Sequence, residues 1–116
     1  MARYTCSFTV AVALEHLKEI LVDVLQACNL EIIYAVGDYM MAREAPGQVS
    51  FAKLVTVEVL VDKSTATNTE TRINFVIKNE ELPLQVDNHC RQMFELVTQA
   101  IVNNRHWRLI ESVAGY

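Results

Sequence analysis

One hundred and sixteen residues are one domain's worth of chain, so residues 1–116 are expected to form a single domain with its own core. Hydrophobic residues make up 52% and charged residues 21%, an ordinary globular balance. A formal charge of −4, with ten Lys and Arg and no basic run, argues against nucleic acid as a partner, because that affinity rests on neutralising phosphates.

Residues 2–10 alternate, with Tyr4, Cys6, Phe8 and Val10 on one side and Arg3, Thr5, Ser7 and Thr9 on the other. Period two with aromatic and β-branched content predicts a half-buried strand. The same alternation breaks the apolar run, so it lacks the continuous core of a signal peptide. The period then changes. Leu14, Leu17, Leu21, Val24 and Cys28 recur at helical spacing, and Glu15, His16, Lys18, Glu19 and Asp23 occupy the other side. This predicts an amphipathic helix of about 16 residues ended by a left-handed Asn29.

Residues 30–36 read as a second strand, closed by Gly37-Asp38. That pair suits a type II′ hairpin turn, since Gly takes the positive φ at its first central position. A short strand over 39–44 follows, then Pro46-Gly47 as the centre of a type II turn. A long strand is expected over residues 50–62, with Val55, Val57, Val59 and Val61 on one face. Another is expected over residues 69–78, with Thr71, Ile73, Phe75 and Ile77 on one face. Val86, Cys90, Met93, Val97 and Ile101 mark a second amphipathic helix, entered just after Pro83 and closed at Asn103-Asn104. The tail from residue 105 fits either a helical extension or an edge strand over 106–112.

The order is β-α-β-β-β-β-α, an α+β chain with an antiparallel sheet and two helices packed on one face. Over residues 2–104 this order is similar to the helix-grip and TATA-binding-protein-like layouts. The similarity is one of topology and transfers no residue roles.

Propagating faces from the two turns gives two groups. A core face collects Ile33, Ala35, Met40, Ala42, Phe51 and the valines of the long strand, extended by Ile73, Phe75, Ile77, Cys6 and Phe8. The opposite face collects Ile32, Tyr34, Val36, Tyr39, Met41 and Leu54, with Tyr39 opposite Leu54, and turns polar farther along. The same register sets Glu31 opposite Glu44, an unfavourable pair. Neighbouring tyrosines with Met, Leu and Ile on a face without helices predict a contact surface, because such a patch, unless the tail folds back and caps it with Trp107 and Leu109, would exceed what a monomer ordinarily exposes. The predicted interface residues are Tyr34, Val36, Tyr39, Met41 and Leu54.

Catalytic and metal signals are sparse. Cys90 follows His89 at the start of a helix, where a thiol can be activated, but it also lies on the apolar stripe. Cys6, Cys28, Cys90, His16, His89 and His106 show no metal-ligand spacing. Glu80-Glu81 and Glu15/Glu19 are the carboxylate clusters, and both read as solvated. Three scattered cysteines do not make a disulfide framework and imply a reducing, cytoplasmic setting. No stretch approaches the about 18 apolar residues of a membrane span.

These features predict a small cytoplasmic interaction protein that self-associates as a dimer, or meets another protein, through the uncovered sheet face. It is not expected to be an enzyme, and no cofactor or metal is expected. The alternative is a carrier of a small apolar ligand, with Met40, Phe51, Met93 and Phe94 walling a cavity. A third reading is a thiol enzyme using Cys90 with His89.

Overall fold

The computed structural model describes residues 1–82 and 88–115. Its elements are β1 (Ala2–Val10), α1 (Leu14–Ala27), β2 (Leu30–Val36), β3 (Tyr39–Glu44), β4 (Thr56–Asp62), β5 (Thr71–Asn79), α2 (His89–Val102) and β6 (Leu109–Ala114). All strand pairs are antiparallel, in the order β2-β3-β4-β5-β1-β6. The α+β class, the antiparallel sheet and the two helices on one face are as the sequence predicts. The eighth element, β6, resolves the ambiguous tail. It pairs with β1 through Phe8↔Ser112 and Ser7↔Val113. Pro83 and Val86, expected at the entry of the second helix, lie outside the described residues. Among the described residues no helix is long and apolar enough to cross a membrane.

Each helix buries the stripe that its spacing marks. Leu17, Leu21, Val24 and Leu25 of α1, and Cys90, Met93, Phe94, Val97 and Ile101 of α2, join the inward residues of the strands in one core. Phe8 and Phe75 meet edge to face with ring centroids 5.8 Å apart at its centre. Each is essentially fully buried, which stabilises the fold by roughly 1.5–3 kcal/mol per side chain. Asn29, at φ +64, stops α1, and Gly37, at φ +63, opens the β2–β3 turn, as expected. Val36 pairs with Tyr39 across that turn.

The register departs from expectation at two places. A β-bulge between Ile32 and Tyr34 shifts the β2–β3 pairing by one residue. Ile32 therefore pairs with Ala42 and packs against the core, while Ile33, expected inside, is 54% exposed. A bulge reverses every face assignment beyond it, because the side-chain period is two. The shift also replaces the unfavourable Glu31–Glu44 pair by Glu31↔Arg43, a pair of opposite charge.

The second departure follows the turn at Pro46-Gly47, where Gly47 has φ +116. The chain does not return directly as a strand. It makes a short 3₁₀ turn at Phe51–Lys53, and β4 begins only at Thr56. Phe51, expected in the core, is 85% exposed. Tyr39 faces Leu60 across β3–β4 and not Leu54.

Candidate functional site

The face of the sheet opposite the helices carries its apolar residues at one end. Alternation sends Tyr34 and Val36 of β2, Tyr39 and Met41 of β3, and Leu60 of β4 to this side. Tyr34, Val36 and Leu60 are 51%, 59% and 47% exposed, and Tyr39 and Met41 are partly exposed. The Tyr34 and Tyr39 rings lie side by side with centroids 6.0 Å apart. Tyr39 hydrogen-bonds Glu58, which pairs with Lys78 Nζ at 2.5 Å. Partial burial, and then the Glu58 charge, push the Tyr39 phenol above its ordinary pKa. The Lys78 hydrogen bond holds Glu58 below the usual carboxylate range.

The other half of this face is mainly polar, with Val76 of β5 and Val113 of β6 as its apolar members. Ser7 Oγ donates to Asn74 Oδ1 at 2.5 Å, and Thr5 and Thr9 flank it on β1. Four of the five predicted interface residues are thus brought together: Tyr34, Val36, Tyr39 and Met41. Leu54 is not among them. It follows the 3₁₀ turn, partly buried beside Phe51 and Thr56. Leu60 takes the place expected of it. The alternation of Thr56 and Glu58 against Val57 and Val59 already puts Leu60 on this face. The C-terminal tail does not cover the patch, because β6 pairs at the edge of the sheet remote from β2. Trp107 is buried instead, its Nε1 donating to Ile101 O at 2.9 Å.

A second constellation, missed by sequence reasoning, closes one end of the fold. Glu44, at the end of β3, is 3% exposed. Its carboxylate accepts from His89 Nε2 at 2.8 and 3.0 Å and from the Val55 amide at 3.2 Å. Glu81, read from the sequence as solvated, is 6% exposed. It accepts from Asn79 Nδ2 at 2.6 Å, from the Cys90 amide at 2.8 Å and from the His89 amide at 3.1 Å. Asn88 Oδ1 accepts from the Arg91 amide at 3.0 Å. The first three amides of α2, which no intrahelical carbonyl can satisfy, therefore all have side-chain acceptors. A carboxylate there also complements the positive end of the helix dipole. The arrangement holds a helix end on a sheet.

The three thiols are buried: Cys6, Cys28 and Cys90 are 7%, 3% and 0% exposed. Burial, and then the Glu81 charge, push the Cys90 thiol up to about 12, and burial pushes Cys6 up to about 11 and Cys28 upward. Cys90 Sγ points at the Ile77 carbonyl at 3.5 Å. This environment opposes thiolate formation and outweighs the activation that a helix N-terminus gives a thiol. A thiol reagent is expected to leave all three cysteines unmodified in the native protein and to label them on unfolding. Rapid native labelling of Cys90 would overturn that assignment. Among the described residues no three His, Cys, Asp or Glu side chains come together as a metal site.

A groove of about 280 Å³ runs between α1 and the β2–β3 hairpin, floored by Leu17, Leu21, Met40 and Val61. Beside it lies a more open and more polar depression of about 520 Å³, lined by Ala13, Leu14, Lys63 and Thr67. The four predicted wall residues do not converge on the groove: Met40 lines it, Phe51 is exposed, and Met93 and Phe94 pack under α2, where Phe94 stacks on Tyr4 at 5.4 Å.

The fold defines the class: an α+β protein whose antiparallel sheet is covered on one face by two helices. The chain matches no protein-family model, and no curated protein matches it.

Proposed function

We propose that this is a small interaction protein that associates with a second copy of itself through the uncovered sheet face. One observation carries the reading: five neighbouring apolar residues, Tyr34, Val36, Tyr39, Met41 and Leu60, lie exposed or partly exposed on a face with no helix over it. Exposed apolar residues scattered singly are ordinary, but a contiguous group rimmed by polar residues marks a contact surface. Tyrosine suits such a surface, since it offers apolar area with a polar tip.

The test is light scattering coupled to size-exclusion chromatography. The wild type is expected to run as a dimer, and Tyr39→Glu as a folded monomer with an unchanged circular dichroism spectrum. Tyr39 is on the surface, so the substitution leaves the core intact while placing a charge beside Glu58. A monomeric wild type at tens of micromolar would overturn the reading. A dimer that persists in folded Tyr39→Glu would remove this face from it.

A further inference from the structure

We infer that the second copy stacks face to face about a twofold axis running along β3, so that β3 of one protomer lies over β3 of its partner. This arrangement rests on the self-association proposed above and specifies its geometry. Three observations carry it.

The first is where the apolar residues sit. In the order β2-β3-β4-β5-β1-β6 the group of five occupies β2, β3 and β4, with β3 in the middle, while Val76 borders it on β5 and Val113 stands apart on β6. A twofold along β3 maps this group onto itself: β2 lies over the partner's β4, and Val36 faces the position of Leu60. The mainly polar half formed by β5, β1 and β6 then falls outside the overlap and stays in water. An axis across the strands would lay the whole face on its copy. It would bury the hydroxyls of Ser7, Thr5 and Thr9 against one another and bring Arg72 and Lys78 of β5 together. Burying polar groups without new partners is costly.

The second is charge. The chain carries −4, yet on β2 to β5 this face holds three acidic and three basic side chains, Glu31, Glu58 and Asp62 with Arg43, Arg72 and Lys78. Glu58 forms an ion pair with Lys78, and Glu31 and Asp62 stand in register opposite Arg43 and Arg72. Two acidic chains can therefore meet here with little net repulsion, whereas like charges brought together across an interface oppose association.

The third is the bulge at Ile32/Tyr34 in β2, an edge strand. Bulges interrupt the regular row of backbone donors and acceptors that edge-to-edge pairing needs. This disfavours joining two sheets edge to edge through β2, the edge beside the apolar group. An isologous contact of this kind closes at two subunits.

Site-directed cross-linking tests the arrangement, helped by three native cysteines that are buried. Sheets packed face to face are about 10 Å apart, within reach of a short bismaleimide. Met41→Cys lies on the axis strand and is expected to cross-link to itself. A mixture of Val36→Cys and Leu60→Cys proteins is expected to give the mixed dimer well above either homodimer. Ser7→Cys, on β1, is expected to give none. Cross-linking at Ser7→Cys, or its absence at Met41→Cys in a sample that light scattering shows to be dimeric, would overturn this geometry while leaving self-association standing. A monomer by light scattering would instead overturn the self-association on which the geometry depends.

Discussion

Replacing Glu44 with alanine is expected to cost about 2–4 kcal/mol of stability, near the cost of breaking a buried ion pair by removing one member. The expectation follows from what is left behind. Glu44 is 3% exposed, and the side chain of His89 is 15% exposed. A carboxylate has only lone pairs to offer, so the imidazole Nε2 donates to it. Without the carboxylate, His89 Nε2 and the Val55 amide both lose their acceptor in a place that water reaches poorly. An orphaned buried donor costs its desolvation, about 1–3 kcal/mol each. The total is a large share of the roughly 5–15 kcal/mol that holds a domain folded. Urea unfolding measures it. Glu44→Gln, which keeps an acceptor, is expected to lose less, and Glu44→Ala/His89→Ala is expected to cost less than the sum of the single changes. Additive single changes would show that the two side chains act independently.

The same cluster shows why some of the fold is legible in the sequence and some is not. The strands β1 and β5 and the helix α1 follow from periodicity alone, because alternation or helical spacing runs through nine or more residues with few exceptions such as Val76. The β2–β3 turn follows from Gly37-Asp38, a local chemical signal. Face assignment failed where an intervening residue breaks the count. The unpaired residue at Ile33 leaves no mark in composition, since Ile32 and Ile33 are the same residue type. Phe51 misleads for another reason: it lies in a connection whose path is set by tertiary bonds. Glu44 bonds the start of β4 through Val55, and Asn79 Nδ2 holds the Lys53 carbonyl at 2.9 Å. These residues are 11 and 26 positions apart, beyond any local pattern. For the candidate site the balance is better. The pairing of Tyr34 with Met41 and of Val36 with Tyr39 depends only on the short turn between them, so four residues could be placed together before any coordinates. Leu54 could not, because its position depends on the connection that the turn at Pro46-Gly47 does not determine.

Glu81→Gln is expected to cost about 2 kcal/mol near neutral pH, with a loss that shrinks as the solution is acidified. Both carboxylate oxygens of Glu81 are acceptors: Oε1 takes the Asn79 and Cys90 hydrogens, and Oε2 takes that of His89. Glutamine supplies one oxygen and one NH₂, so at least one of these donors would face another donor. Hydrogen bonds to a charged group are worth about 1.5–3 kcal/mol, which sets the size of the loss. The pH dependence follows from the charge. Burial acts to raise the carboxyl, but the hydrogen bonds from Asn79 and from the Cys90 and His89 amides, with the nearby His89 charge, outweigh it and hold Glu81 below its ordinary 4.5. The unfolded chain therefore binds this proton more readily than the folded one, and stability from the group increases with pH across that interval. It is fully present above about pH 5 and is lost as pH falls through the depressed folded value, below the ordinary carboxylate range of about 4.3. A protonated Glu81 carboxyl and the glutamine amide that replaces it each offer one carbonyl oxygen and a donor, so the gap between wild type and Glu81→Gln should narrow as pH falls through the depressed folded value. Urea unfolding of both proteins at about pH 7, 5 and 3 measures the difference. A gap that is constant across this range would mean that the ionised carboxylate is not what caps α2, and a gap below about 0.5 kcal/mol at pH 7 would mean that Asn88 alone suffices to hold the helix end.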